Sequence, residues 1–132
     1  MPVTSLDHVT IMTKDLQASR DFYIGLLGLE ETAWRPNFPF DGAWLKIGLH
    51  AIVHLTVRDF DRGDENTQPF DHFALKAENI QAMRKSLEAA GVAYKEQNPP
   101  NSNIHQIFIN DPDGVAVELN FNTDYETAAG TM

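Results

Sequence analysis

The sequence predicts an α+β fold in which two βαβββ modules form a curved mixed sheet around a cleft. Strand-like and helix-like segments follow the same order in both halves of the 132 residues. The stretches LDHVTIMT at 6–13 and FDHFALKA at 70–77 each place Asp-His at the start of an alternating apolar run. One domain with four parts is predicted: a first module over about 5–58, a connector over about 59–69, a second module over about 70–122 and a loose tail over about 123–132.

The first half contains one helical segment among strands. Residues 6–13 alternate in polarity and are rich in β-branched side chains, which predicts a strand. A helix is predicted over 14–28, with Asp15 capping its start and Gly28 ending it in the left-handed region. Three further strands are predicted, at 29–35, 42–48 and 51–57.

The second half repeats this order of elements. A strand at 70–77 precedes a helix over 78–91, which ends at Gly91. The turn DPDG at 111–114 precedes the final strand. The three strands after the helix are predicted at 92–97, 104–110 and 114–121.

The two halves are related by a constant interval. His72 follows His8 by 64 positions, and Arg84 follows Arg20 by the same 64 positions. The same interval is found for a residue of a predicted strand and for a residue of a predicted helix, which indicates a duplicated module.

The composition limits the classes of partner. A formal net charge of −9 without a basic cluster excludes nucleic acid, so a small molecule is the expected partner. The absence of cysteine excludes disulfides and thiolate catalysis, and leaves His, Asp and Glu as candidate metal ligands. No run approaches the length of a membrane span. The N-terminus lacks an export signal, which predicts a cytoplasmic protein with no membrane partner.

Strand parity predicts which side chains face the cleft. Successive side chains of a strand point to opposite faces, so packing Val9 under a helix turns His8 towards the cleft. The same reasoning turns His54, His72 and Glu118 towards it. Three imidazoles and a carboxylate are costly to bury unpaired, and a divalent cation stabilises such a set by coordination. The sequence therefore predicts a metal site, in which His54 is either a fourth ligand or a catalytic group beside the metal.

Other side chains are assigned to the substrate pocket because they share the parity of the cleft. These are Thr10, Trp44, Lys46, Gln106, Phe108 and Asn120. For Trp44 and Phe108, core packing is an equal alternative. Arg35, in the loop WRPNFPFDG at 34–42, is a candidate for binding a substrate carboxylate, with solvated surface as the alternative. Asp7 and Asp71 have the opposite parity and are expected to order the strand starts.

Three segments together resemble the vicinal oxygen chelate superfamily, which includes glyoxalase I, bleomycin resistance proteins, fosfomycin-resistance enzymes and extradiol dioxygenases. They are LDHVTIMTKDLQASRDFYIGLLGL at 6–29, FDHFALK at 70–76 and FINDPDGVAVELNF at 108–121. The resemblance implies that His8, His72 and Glu118 occupy metal-ligand positions. It also implies that His54 occupies a fourth position, where glyoxalase I has Glu.

The resemblance further implies an enzyme that holds an oxygen-bearing small substrate on one divalent ion, which is Fe, Zn, Ni or Mn. Lyase or isomerase chemistry of the glyoxalase type is the favoured expectation, with Glu118 or His54 as the catalytic base. The alternatives are a small Fe(II) extradiol-type dioxygenase, a fosfomycin-type resistance transferase and a non-catalytic ligand-sequestering protein. A homodimer with clefts shared between chains is also expected, since small members of the family pair their modules in this way.

Overall fold

Each half of the chain forms its own four-stranded mixed sheet in the computed structural model, which describes residues 2–60 and 69–132. The two units are Met1–Gly63 (unit 1) and Asp64–Met132 (unit 2). The connector predicted over 59–69 lies outside the described residues between 61 and 68. No helix among the described residues has the length and apolar character needed to cross a membrane.

The described residues of unit 1 form four strands and one helical segment. Its elements are β1 (Val9–Thr13), α1 (Leu16–Arg20), a π-helical continuation (Asp21–Leu26), β2 (Glu30–Glu31), β3 (Gly42–Ile47) and β4 (His50–Val57). The strand order is β1-β4-β3-β2, with β1 parallel to β4 and the other pairs antiparallel.

Unit 2 has the same order of strands followed by a terminal helix. Its elements are β5 (Phe73–Lys76), α2 (Ile80–Ala89), β6 (Lys95–Gln97), β7 (Ile104–Asn110), β8 (Ala116–Asn122) and α3 (Thr123–Ala129). The strand order β5-β8-β7-β6 corresponds strand by strand to that of unit 1, and β5 is parallel to β8. The α+β fold of two βαβββ modules predicted from the sequence is confirmed.

The start and the end of the first helical segment follow from particular side chains. Asp15 accepts a hydrogen bond from the backbone N–H of Ala18 at 3.1 Å, which is the predicted N-cap. The helix then widens, because the N–H of Leu27 donates to the carbonyl of Phe22 at 3.0 Å, five residues earlier. Gly28 ends the segment with φ of +82°, as predicted.

The strand alternation places one face of each sheet in the core. In β4, Val53 and Leu55 are fully buried, and in β8 the same is true of Val117 and Phe121. The residues that alternate with these positions point to the opposite face of each sheet. That face carries His54 in β4 and Glu118 in β8.

Two predicted elements differ from those observed. The strand predicted over 29–35 is reduced to the two residues of β2, because the hydroxyl of Thr32 donates to the carbonyl of Trp34 at 2.6 Å and this local bond competes with the ladder. The loose tail predicted over 123–132 contains α3. Asn122 caps this helix by accepting from the N–H of Tyr125 at 2.9 Å, and Gly130 ends it with φ of +73°.

Helix α3 is attached to α2 through a buried carboxylate. The side chain of Glu126 accepts from the backbone N–H groups of Asn79 at 3.0 Å and of Ile80 at 2.6 Å. These are N–H groups at the start of α2 that have no partner within that helix. The carboxylate that accepts from Asn79 lies 47 residues away in the chain, and no local sequence pattern signals this contact.

Replacing Glu126 with Ala is expected to lower the free energy of unfolding by about 3 kcal/mol, because two buried N–H groups would lose their acceptor. Urea denaturation measures this change. Thr127→Ala, at an exposed position of the same helix, is the control and should shift stability by less than about 0.5 kcal/mol. A similar small effect for both variants would show that α3 does not stabilise unit 2.

Candidate metal centre and cavity

Three rings are stacked on the inner face of the sheet of unit 1. In the strand register, His54 of β4 lies beside Thr10 of β1 on one side and beside Trp44 of β3 on the other. The ring centroid of His54 is 3.8 Å from that of His8 and 3.9 Å from that of Trp44, with interplanar angles of 14° and 10°. His8 and Trp44 cannot both stack on the same face of the His54 ring at these distances. The His54 imidazole is therefore held between the other two rings.

Hydrogen bonds assign the nitrogens of the two histidines. The Nε2–H of His54 donates to the carbonyl of Ala51 at 3.1 Å, which leaves Nδ1 with a free lone pair. The Nδ1–H of His8 donates to the Asp7 carboxylate at 2.7 Å, which leaves Nε2 free. Burial and then the neighbouring His8 lower the pKa of His54, so its ring is held neutral and able to accept a proton or a metal.

A cavity of about 700 Å³ opens over this stack within unit 1. Five side chains assigned to the site by the sequence line it together: His8, Thr10, Arg35, Trp44 and His54. Sequence reasoning missed Arg58 and His50, which also line it. His50 begins β4 and its Nε2–H donates to the carbonyl of Asp7.

Lys46 is absent from the lining of this cavity. The register between β3 and β4 shifts between Leu45 and Lys46, and such a bulge re-aims the side chains that follow it. The Nζ of Lys46 lies 4.0 Å from the carboxylate of Glu30.

Unit 2 brings together the other two proposed ligands. His72 lies just before β5, and its Nε2 is 3.1 Å from Oε1 of the buried Glu118 in β8. The Nδ1–H of His72 donates to Asp71 at 2.6 Å. That hydrogen bond, and then the charge of Glu118, raise the pKa of His72. A metal ion and a proton would compete for Nε2.

The predicted pocket residues of unit 2 surround this pair. Phe108 of β7 meets the His72 ring edge-to-face at 5.8 Å and lies opposite Glu118 in the register. The Nδ2 of Asn120 donates to Oε2 of Glu118 at 3.2 Å. Gln106 is the register partner of Asn120.

The expectation for Asp7 and Asp71 needs correction. Each carboxylate does more than order a strand start. It accepts a hydrogen bond from Nδ1–H of the histidine that follows it, which is His8 for Asp7 and His72 for Asp71. Side-chain rotation at exposed positions permits this contact even though successive Cβ atoms point to opposite faces. A carboxylate on one imidazole nitrogen fixes the tautomer that presents the other nitrogen to a metal.

The donor set fits a divalent metal in chemistry, and each unit contributes half of it. Unit 1 supplies His8 and His54, and unit 2 supplies His72 and Glu118. Among residues 2–60 and 69–132, no group of three or more His, Asp or Glu side chains is gathered so that it could hold a metal ion.

The fold defines a protein built from two βαβββ modules, one in each unit. The family model of the Glyoxalase/Bleomycin resistance protein/Dioxygenase superfamily matches residues 5–119. The chain belongs to this superfamily, which confirms the resemblance seen in the sequence.

Known relatives are similar over most of the chain. Glyoxylase I 4 of Arabidopsis thaliana is 27% identical over 122 residues, which cover 89% of this chain and 70% of the relative. Lactoylglutathione lyase of Escherichia coli O157:H7 is 30% identical over 120 residues, covering 85% and 88%. The solved structure of a glyoxalase family protein from Bacillus anthracis superposes with a TM-score of 0.75 at 20% identity, covering 91% of this chain and 96% of that one, which supports the fold.

Proposed function

We propose that the protein is a divalent-metal-dependent enzyme that isomerises or cleaves a small oxygen-bearing substrate, with chemistry of the glyoxalase type. One observation carries this proposal: the proposed ligands lie in two close pairs at corresponding positions of the two units. The pairs are His8 with His54, and His72 with Glu118. The name of the E. coli relative, a lyase, favours the same class of reaction.

His8, His72 and Glu118 would hold the metal, with His54 as a fourth ligand or as a base beside it. The metal would be Fe, Zn, Ni or Mn, and when bound it supplies Lewis-acid stabilisation of negative charge on substrate oxygens. Asp7 and Asp71 accept hydrogen bonds from Nδ1–H of His8 and His72, which favours the tautomer whose Nε2 can act as a metal ligand.

We assign proton transfer to one of two side chains. Burial and His8 lower the pKa of His54, which keeps its ring neutral, so the lone pair on Nδ1 remains free to accept a proton from substrate. Glu118 is the second candidate, and Asn120 fixes one of its oxygens by a hydrogen bond. The stacking of His54 against Trp44 holds the imidazole in one orientation.

An isomerase assay with metal-stripped and reloaded protein tests this function. The hemithioacetal of methylglyoxal and glutathione is the probe, and Zn, Ni, Mn and Fe(II) are added back separately. We expect turnover only with metal, and a His54→Gln variant that folds normally but loses most of it. Thr56→Ser, a conservative change in the same strand, is the matched control and should retain activity.

An oxygen electrode with Fe(II)-loaded protein and a catechol panel distinguishes the dioxygenase alternative. Two histidines and one carboxylate also suit Fe(II) and O₂ chemistry. Oxygen consumption without isomerase activity would replace the isomerase assignment, and silence in both assays with metal bound would remove both.

We infer that the working unit is a homodimer in which each site takes one pair of ligands from each chain. The division of the four donors into two pairs, each complete within its unit, supports this arrangement. The edge strands of each sheet support it as well, because exposed sheet edges are stabilised when a partner covers them.

A further inference from the structure

The described arginines of unit 1 are Arg20, Arg35 and Arg58, and they fall into two groups according to their partners. Arg20 forms an ion pair with a glutamate at 2.8 Å, as Arg84 does in unit 2. Arg35 and Arg58 form no ion pair with any carboxylate in the described parts of the chain, and both line the cavity of unit 1. In a chain with a net charge of −9, two guanidiniums at one cavity that have no carboxylate partner among residues 2–60 and 69–132 indicate a place for an external anion.

The guanidinium of Arg35 is held in place before any ligand arrives. Its Nη2 donates to the carbonyl of Phe40 at 3.0 Å, and its Cζ lies 4.9 Å from the ring centre of Phe38. Its Nε is buried and has no hydrogen-bond partner among the described residues. Gly42 leaves the space that Arg35 occupies, since a Cβ there would lie 2.9 Å from Nη2 and 2.2 Å from the carbonyl oxygen of Leu55.

Arg58 and Arg35 both lie near the ring of Phe40. The Cζ of Arg58 lies 5.4 Å from the ring centre of Phe40, and that of Arg35 lies 5.5 Å from it. Two positive charges around one ring repel each other, and this repulsion favours the binding of an anion beside them. Planar guanidiniums match the oxygens of a carboxylate or a phosphonate by paired hydrogen bonds.

The rest of the cavity wall suits an apolar group. Phe38 and Phe40 are stacked with centroids 5.0 Å apart, and Phe38 also contacts Trp44 at 6.5 Å. Phe38 remains 39% exposed, although a large apolar ring gains by burial. A volume of about 700 Å³ is within the range of sites for small molecules.

We propose that this cavity binds a small organic acid, whose anionic group contacts Arg35 and Arg58 and whose apolar part packs on Phe38, Phe40 and Trp44. This proposal names the class of substrate for the proposed function. Calling the acid a substrate rests on that function, whereas the binding of the acid does not. Asp7, which also lines the cavity, is already engaged with His8.

Benzoate, phenylphosphonate and the neutral isostere benzamide are the probes. Binding is measured by calorimetry and by the fluorescence of the tryptophans, with the protein as purified and after removal of metal by a chelator. We expect at least one of the anions to bind about tenfold or more tightly than benzamide in both preparations, and the tighter of the two identifies the acid group.

Arg35→Gln and Arg58→Gln are expected to reduce the affinity for the anion about tenfold each, and to leave that for benzamide unchanged. Arg20→Gln, which removes a paired arginine outside the cavity, is the control and should bind as the wild type does. If Arg35→Gln fails to fold, the exposed Arg58 still provides the test.

Equal binding of benzamide and both anions would overturn the proposal, as would an anion preference that survives both cavity variants. These outcomes are separable from a failure of the proposed function. Anion-selective binding without metal binding would leave the cavity assignment standing alone, and metal-dependent turnover without anion preference would remove only the cavity assignment.

Discussion

Mixing two inactive variants, His8→Ala and Glu118→Ala, is expected to restore activity. If each site takes unit 1 from one chain and unit 2 from the other, a mixed dimer has one site with both lesions and one intact site. Each mixed dimer would then have up to half of the wild-type activity. Random assortment makes about half of the dimers mixed, so the preparation should recover about a quarter of that activity.

Co-expression of the two chains with different affinity tags gives the mixed dimer directly. The matched control pairs His72→Ala with Glu118→Ala. Both lesions then fall in unit 2, every site carries one of them, and no activity should return. Mixed dimers that form and remain inactive in the first pairing would place each complete site within a single chain. A monomer in sedimentation would contradict the shared site altogether.

Replacing Asp71 with Ala is expected to weaken metal binding by about 10- to 100-fold, because the His72 ring would lose the group that fixes its tautomer. Folding should change little, since the Asp71 side chain is 91% exposed. Competition with a chromogenic chelator measures the affinity, and the ¹⁵N shifts of the His72 ring report which nitrogen carries the proton. Asp7→Ala should act in the same way through His8.

Two variants make this prediction specific. Asp71→Asn keeps an oxygen that can accept from Nδ1–H and should recover most of the lost affinity. Asp124→Ala removes an exposed carboxylate on α3 of the same unit and should leave the affinity unchanged. An Asp71→Ala variant with the wild-type affinity and unchanged ring shifts would reduce the Asp71–His72 contact to a surface hydrogen bond.

The sequence predicted those parts of the molecule that depend on local patterns or on duplication. Strand alternation identified the core face of β4 and β8, Asp15 and Gly28 marked the ends of the first helical segment, and the 64-residue interval revealed the two modules. Because the same parity applies within each module, the partners His8 with His54 and His72 with Glu118 were also predictable.

The remaining features depend on contacts that no local pattern encodes. The buried bond from Glu126 to the start of α2 joins segments 46 or 47 residues apart. The register of β3 against β4 shifts between Leu45 and Lys46, and strand parity takes no account of such a bulge. Parity also describes Cβ directions alone, so it missed how an exposed carboxylate such as Asp71 rotates onto the neighbouring imidazole.

The metal content of protein purified without a nickel column is the decisive measurement for the proposed metal centre. After dialysis against a Zn, Ni, Mn or Fe(II) buffer and removal of free ion, the wild type should retain about one divalent ion per chain. His72→Ala and Glu118→Ala should each retain almost none, while Lys46→Ala, outside the cavity, should match the wild type. A wild type that retains none of these ions, or a His72→Ala variant that binds one per chain with unchanged affinity, would contradict the proposed metal centre.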